Sequence, residues 1–175
     1  MTAPSQHMKQ LATFALCRGL DERQVSEIFD ICDAIELPPG RLLFEEGDDG
    51  DALYAVLAGE LEIEKSDGNG GALTLAHMGE GAVLGEMSLF GPHSKRSASA
   101  RVVGKAQASL LKVSVEKFES LVRADNVAAL KVVHNLAQLM SRRLVLMNEK
   151  LVEAGRGRRK EELLAFQKIL NDWSF

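Results

Sequence analysis

Residues 53–65 read LYAVLAGELEIEK, and this stretch indicates the fold of the central part of the chain. Its first half is a short apolar run, and in its second half Leu61 and Ile63 alternate with glutamates. Such alternation gives a β-strand one buried face and one face in water. Because the turn signal Ala58-Gly59 separates the two halves, the stretch predicts two short strands with a turn between them.

Runs of the same kind recur on both sides of this stretch, throughout residues 35–113. The other runs with strand character are Leu42–Phe44, Leu73–His77, Val83–Leu84, Ala98–Val103 and Ser109–Val113. Glycine-rich turn signals separate them, and Pro38-Pro39-Gly40 opens the region because proline blocks helix continuation. Short strands at this spacing predict a mainly β fold, an antiparallel β-roll or jelly-roll barrel of about eight strands with flanking helices.

Helical periodicity is found on both sides of the β region. Residues 8–33 predict N-terminal helices, with an Asp21–Gln24 capping-box pattern and one apolar face. The residues of that face are Val25, Ile28, Phe29 and Cys32. After the strands, Ser114 is the expected N-cap of a short helix whose Phe118 and Leu121 point inward.

A long helix is predicted over about 126–154, starting near Asp125-Asn126 and ending or bending at Gly155-Arg156-Gly157. Its apolar residues follow a heptad pattern, which favours a partner helix and therefore a homodimer through residues 130–151. The alternative is that this seam packs on its own chain. The seam residues are Leu130, Val133, Ala137, Met140, Leu144, Met147 and Leu151. The tail 156–175 contains an amphipathic stretch over 160–173, either a docking segment or a helix packed on its own domain.

Composition excludes several functional classes. The chain has 175 residues, 46% hydrophobic and 26% charged, with a net charge of −4. These values are ordinary for a globular protein, and an acidic chain gives no general reason to expect DNA binding. Cys17 and Cys32 are expected to be free thiols of a cytoplasmic protein, and the four histidines lack metal-ligand spacing, so we expect no metal. No apolar run is long enough to span a membrane.

The stretch with the most chemistry is residues 84–100, LGEMSLFGPHSKRSASA. Gly85 permits positive φ, so the amides that follow it can point toward one anion, as at a helix N-terminus. Arg96 adds a donor fork that suits phosphate oxygens, and Ser97 adds a hydroxyl donor. Glu86 would repel a phosphate, but its carboxylate can accept a hydrogen bond from a sugar hydroxyl. Together these residues indicate a nucleotide.

The same stretch resembles the phosphate-binding cassette of the cyclic nucleotide-binding domain family. Three further motifs resemble the family, and the resemblance covers roughly residues 10–152, the predicted domain. These motifs are Leu37-Pro38-Pro39-Gly40, the run from Phe44 through Gly47-Asp48 and Gly50-Asp51 to Leu53-Tyr54, and Gly59-Glu60-Leu61-Glu62-Ile63. Several ordered motifs at consistent spacing are more specific than any one of them. The spacing from Glu86 to Arg96-Ser97 looks closest to the sensor domains of the bacterial catabolite activators.

The resemblance implies roles for individual residues. It implies that Glu86 binds the ribose 2′-hydroxyl and that Arg96, followed by Ser97, binds the cyclic phosphate. Gly85, Met87 and Ser88 would shape the cassette turn. The long helix resembles the dimer helix of the activators, in which a Thr–Ser pair meets the base. Met147 and Asn148 stand at the matching positions, and this departure leaves the identity of the base open.

The function expected from this resemblance is a stand-alone sensor of cyclic AMP that acts through an unknown protein effector and is not an enzyme. The residues after Gly155 are too few for the helix-turn-helix domain of the activators, so we expect no DNA contact. Two alternatives remain. The domain could be degenerate, binding no nucleotide and serving as a dimeric scaffold, or the ligand could be cyclic GMP or a cyclic dinucleotide. At the level of the residues, Arg96 beside Lys95 could be a solvated basic loop.

Overall fold

A computed structural model describes residues 3–90 and 95–155, and the chain divides after Leu136 into two compact units. The helices are α1 (Ala3–Thr13), α2 (Glu22–Phe29), α3 (Val115–Arg123) and α4 (Val127–Gly155), and 3₁₀ turns span Ala15–Cys17 and Glu86–Leu89. The strands are β1 (Cys32–Leu37), β2 (Leu42–Phe44), β3 (Ala52–Ala58), β4 (Glu60–Ser66), β5 (Ala72–Met78), β6 (Val83–Leu84), β7 (Ser99–Val103) and β8 (Ala108–Ser114).

The strands form two four-stranded antiparallel sheets, ordered β1-β8-β3-β6 and β2-β7-β4-β5. This arrangement confirms the predicted mainly β jelly-roll fold with flanking helices. The expectation of a barrel is wrong in one respect, because the described strands do not close into one ring. Hydrogen bonding stops at the edge strands of each sheet, and the sheets are joined through apolar side chains between their inner faces. This inter-sheet cluster includes Tyr54, Val56, Leu61, Val102 and Leu110.

Strand β3 is buried on both faces, which explains why its sequence is a continuous apolar run. Tyr54 and Val56 point into the space between the sheets. Leu53 and Leu57 point the other way, into a second cluster that the helices cover. That second cluster contains Leu11, Phe14, Leu16, Val25, Ile28, Phe118, Val132 and Leu136. The N-terminal helices, α3 and the first part of α4 therefore pack as one apolar layer on the β1-β8-β3-β6 sheet. They cover the face of this sheet that points away from the other sheet.

The prediction that Cys32 continues the helical face of α2 is wrong. The capping box at Asp21 and Gln24 is confirmed, but α2 ends at Phe29 and Cys32 is the first residue of β1, paired with Val113 of β8. The Cys32 thiol donates to the carbonyl of Ile28 at 3.2 Å. Backbone pairing with a strand far along the chain decides this conformation, and a local helical pattern cannot register it.

The C-terminal elements begin as their caps predict. The Ser114 hydroxyl accepts a hydrogen bond from the Lys117 amide, and Phe118 of α3 is buried. The Asn126 side chain accepts from the Ala129 amide at 3.0 Å, directly before α4. No helix in the described residues is both long and apolar enough to cross a membrane.

Within the first unit, α4 buries a different stripe from the predicted seam. Ala128, Ala129, Val132 and Leu136 are buried, whereas Leu130 is 44% exposed. Val133 packs partly on the core of its own unit. In the second unit Ala137 is exposed, and Leu144 and Met147 are 45% and 65% exposed. The side chain of Leu151, residues 156 and 157, and the predicted 156–175 tail lie outside the described residues.

Candidate functional site

The glycine at the start of the cassette adopts the conformation that its residue type permits. Gly85 follows the short strand β6 and has φ of 72°, in the left-handed region. The 3₁₀ turn Glu86–Leu89 begins directly after it, and the Ser88 amide donates to the Gly85 carbonyl at 3.2 Å. The predicted tight turn with positive φ at Gly85 is therefore present, and the Ser88 amide is already used within it.

The backbone of Arg96 is held by the turn that follows β2. Its amide donates to the Asp48 carbonyl at 2.8 Å, and its carbonyl accepts from the Gly47 amide at 2.9 Å. Its side chain turns into the protein and is only 3% exposed. The interpretation of Arg96 as part of a solvated basic loop is therefore wrong, whereas Lys95 beside it is exposed.

The guanidinium of Arg96 meets the cassette turn and β3. Its Nη1 donates to the Ser88 hydroxyl at 3.1 Å and makes a longer contact, 3.5 Å, with the Gly85 carbonyl. Its Nη2 donates to the Ala52 carbonyl at 2.9 Å. The buried Nε finds no acceptor among the described residues. Since an unpaired buried donor is costly, this nitrogen marks a place for an acceptor.

Aromatic rings and one carboxylate complete the surroundings of Arg96. Its Cζ lies 4.3 Å from the ring centroid of Phe44 and 5.7 Å from that of Tyr54. Burial raises the pKa of the Tyr54 hydroxyl, which therefore stays neutral at physiological pH. Asp51 lies 3.4 Å from Nη2, but its side chain is 65% exposed and also faces Lys112 at 3.4 Å. This carboxylate balances the buried cation only in part.

The remaining cassette residues lie at the surface of the same region. Glu86 is half-buried and directly follows Gly85, and Met87 is 52% exposed. The exposed Ser97 directs its hydroxyl toward the Met87 sulfur at 3.8 Å. The structure thus brings Gly85, Ser88 and Arg96 into one cluster and places Met87 against Ser97.

A polar network from β4 fixes the carbonyl of Ser97. Lys65 donates to that carbonyl at 2.8 Å and pairs with Glu46 at 2.6 Å. The other Glu46 oxygen accepts from the Ser66 amide at 2.9 Å. The hydrogen bond from Lys65, followed by that from Ser66, holds the pKa of Glu46 below its usual value. Glu46 therefore stays ionised and keeps Lys65 in place.

Met147 and Asn148, predicted to meet the base, belong to the second unit, and both side chains are exposed. Their role stays a prediction. The described residues contain no group of three or more His, Cys, Asp or Glu side chains placed to hold a metal ion.

The sequence did not assign a role to Phe44, Asp51, Ala52 or Tyr54, although three of them stand in the motif that resembles the family. A signal was available in Tyr54, a residue with a polar hydroxyl inside an apolar strand. The contribution of Ala52 is a backbone carbonyl, for which a sequence carries no signal.

The cluster is chemically suited to an anion joined to a polar group. A buried guanidinium with an unsatisfied Nε donor, beside a glycine turn, suits an oxyanion. Glu86 on the same turn offers an acceptor to a hydroxyl.

Comparisons with known proteins identify similar sequences and structures. The chain is 39% identical over 107 residues to the cyclic AMP receptor protein of Thermus thermophilus, covering 61% of this chain and 46% of that protein. The crystal structure of the Thermus thermophilus catabolite activator protein superposes with a TM-score of 0.70 at 33% identity, covering 81% of this chain and 63% of that one. The regulatory domain of Toxoplasma gondii PKA, solved with cAMP, gives a TM-score of 0.59 at 26% identity, covering 67% and 43%.

The chain thus spans less than half the length of the Thermus thermophilus receptor. The family model described as "Cyclic nucleotide-binding domain" matches residues 34–125, which is more than half of the chain. The match includes most of β1, all of β2 to β8, and Gly85, Glu86 and Arg96. The chain belongs to the cyclic nucleotide-binding domain family.

Proposed function

We propose that this chain is a sensor module for cyclic AMP, which binds the nucleotide at Gly85–Ser88, Arg96 and Ser97 and passes the signal to a protein partner. It performs no catalysis. The observation that carries the proposal is the Arg96 side chain, 3% exposed, with an Nε that has no acceptor among the described residues.

A buried charge requires compensation, because removal from water costs several kcal/mol even after relaxation. Asp51 supplies little, since it is mostly exposed and lies at 3.4 Å. A phosphate at Arg96 would supply the counter-charge and an acceptor for Nε. In this proposal Glu86 accepts from the ribose 2′-hydroxyl, while Met87 and Ser97 line the same side of the cassette.

Cyclic AMP is the expected ligand because of what similar proteins bind. One relative is named a cyclic AMP receptor protein, and the Toxoplasma gondii domain was solved with cAMP. Met147 and Asn148 stand where the resemblance predicts contact with the base, in place of the Thr–Ser pair of the activators. Because this difference leaves the base open, cyclic GMP and a cyclic dinucleotide are the alternative ligands to test.

A second candidate function is a scaffold that keeps the fold and binds no nucleotide. The observation that favours it is that Nη1 and Nη2 of Arg96 already donate to Ser88 and Ala52. A guanidinium whose N–H groups already donate to protein acceptors has fewer donors left for a ligand. Only the Nε donor then argues for an additional acceptor.

Titration calorimetry with cyclic AMP, cyclic GMP and cyclic di-GMP separates these functions. We expect binding of cyclic AMP, and a loss in Arg96→Ala of at least about tenfold, since a charge-assisted bond to a buried anion contributes about 2–5 kcal/mol. Arg96→Lys should also bind poorly, because an ammonium does not reproduce the fork. The matched control is Arg101→Ala, which removes a half-exposed arginine of β7. No heat with any of the three nucleotides would favour the scaffold.

The proposal includes a homodimer through residues 130–151 and a location in the cytoplasm. The exposed apolar side chains of α4 support the dimer, as Leu144, Val145, Leu146 and Met147 are 45–65% exposed. The free thiols of Cys17 and Cys32 support a reducing compartment. Burial raises the pKa of Cys17 to about 11 and that of Cys32 to about 12, so both thiols stay protonated and unreactive.

A further inference from the structure

We propose that Phe44 is a positioning residue for the ligand phosphate and acts through Arg96, an inference that rests on the proposed function. The ring of Phe44 lies under the guanidinium, with its centroid 4.3 Å from Cζ. This distance is well within the range in which a cation is attracted to the face of an aromatic ring. The attraction is strengthened here because the cation is buried.

The ring reaches Arg96 because of an irregularity in β2. Leu42 pairs with Arg101, and Phe44 pairs with Ala100. These two positions are adjacent in β7 but are separated by one extra residue in β2, so β2 has a bulge here. Such a bulge bends the strand and redirects its side chains. Phe44 is half-buried and packs partly on the inter-sheet cluster, which fixes the plane of its ring.

Phe44 and Tyr54 come from opposite sheets and meet at this point. Phe44 belongs to β2 of one sheet and Tyr54 to β3 of the other, with their ring centroids 6.0 Å apart. Arg96 lies over Phe44 at 4.3 Å and over Tyr54 at 5.7 Å. The guanidinium is therefore held by both sheets, and Phe44 is the nearer support.

Coverage by Phe44 limits how an anion can approach. A guanidinium donates its hydrogen bonds in its own plane. Within that plane Nη1 and Nη2 have protein acceptors, at Ser88 and Ala52, and the buried Nε donor has no acceptor among the described residues. With a ring over the face, the phosphate must bind at the edge of the fork. Phe44 thus prepares Arg96 for binding before the ligand arrives, which reduces the ordering cost of association.

A double-mutant cycle between Phe44 and Arg96 tests this role. Dissociation constants for cyclic AMP are measured by calorimetry, at millimolar ligand where needed, for the wild type, Phe44→Leu, Arg96→Ala and the double variant. Leucine keeps an apolar side chain and removes the ring face. We expect Phe44→Leu to weaken binding about threefold to tenfold in the wild type. In the Arg96→Ala background the same change should alter affinity less than about twofold.

Three controls separate positioning from general damage. Phe44→Tyr keeps the ring and should restore wild-type affinity. Phe29→Leu removes a half-buried ring of α2 that packs on the helix-covered cluster, and it should leave affinity unchanged even if stability falls. If Phe44→Leu does not fold, as judged by circular dichroism, Phe44→Met replaces it in the cycle.

A nitrogen-15 spectrum of the arginine side chains gives a second readout. The Arg96 Nε–H signal should shift when cyclic AMP is added to the wild type, and it should be broadened in ligand-free Phe44→Leu. An equal loss of affinity from Phe44→Leu with and without Arg96 would overturn the positioning role. Unchanged affinity of Arg96→Ala itself would instead refute the proposed phosphate site, so the two failures are distinguishable.

Discussion

Gly85 and Arg96 approach each other so closely that a side chain at position 85 would collide with the guanidinium. A Cβ built on Gly85 would meet Arg96 Nη1, and it would also lie 2.8 Å from the Ala52 carbonyl. The buried position of the Arg96 side chain therefore depends on a residue without a Cβ at position 85, which also has positive φ. A glycine is needed here both for the turn and for the space that the arginine occupies.

Gly85→Ala should therefore destabilise the protein more than an alanine at a comparable glycine. Gly104 has φ of 80° and open space around its Cβ position, so Gly104→Ala measures the conformational strain alone, about 1–2 kcal/mol. We expect Gly85→Ala to cost about 1–3 kcal/mol more because it also overpacks the site. Urea unfolding gives both values, and calorimetry should show weakened nucleotide binding only for Gly85→Ala. Equal effects of the two substitutions would contradict the close approach.

The role of Glu86 predicts discrimination at the sugar. The wild type should bind 2′-deoxy cyclic AMP about tenfold or more weakly than cyclic AMP, because the carboxylate would lose its donor. Glu86→Ala should remove much of this preference. Competition binding with both ligands measures it, and Glu116→Ala, an exposed carboxylate of α3, is the control. Equal affinity of the wild type for both ligands would exclude the ribose role.

The lowered pKa of Glu46 predicts that this carboxylate contributes to the loss of folding stability at acid pH. Its pKa in the folded protein is below the ordinary value of 4.5, first because of the Lys65 hydrogen bond. A lowered carboxyl pKa stabilises the folded state above the unfolded pKa, and that contribution is lost as pH falls through the folded pKa. Urea unfolding between pH 6 and pH 3 should thus show less loss of stability in Glu46→Gln than in the wild type. Parallel pH profiles of the two proteins would argue against this assignment.

The exposed seam of α4 predicts that Leu144→Asp breaks a homodimer. Leu144 is 45% exposed, and a charge there would have to be desolvated against a partner helix. Sedimentation velocity should show a dimer for the wild type and a monomer for Leu144→Asp. Leu73→Asp is the matched control, since Leu73 is 62% exposed on β5 and does not belong to the predicted seam. A monomeric wild type, or a monomer produced by Leu73→Asp instead, would exclude this interface.

Local signals determined much of this structure from the sequence alone. The capping box of Asp21 and Gln24 and the Ser114 cap were predicted because a cap depends on residues three positions apart. The turn at Gly59 followed from turn chemistry, and Gly59 has φ of 85°. This turn connects β3 of one sheet to β4 of the other sheet, and the two strands do not pair. The cassette turn at Gly85 was predicted for the same reason. Each of these features depends on sterics and hydrogen bonds between residues that are close in the chain, so a local sequence pattern is enough to predict it.

Tertiary contacts decided the features that the sequence left open or concealed. Cys32 continues a helical pattern, yet its pairing with Val113, far along the chain, makes it a strand residue. Arg96 next to Lys95 reads as a surface pair, but its side chain is buried against Phe44 and the Ala52 carbonyl. The physical reason is the same in both cases. Burial and backbone pairing depend on which distant strands meet, and no local pattern encodes a contact between a guanidinium, a ring and a carbonyl from separate strands and turns.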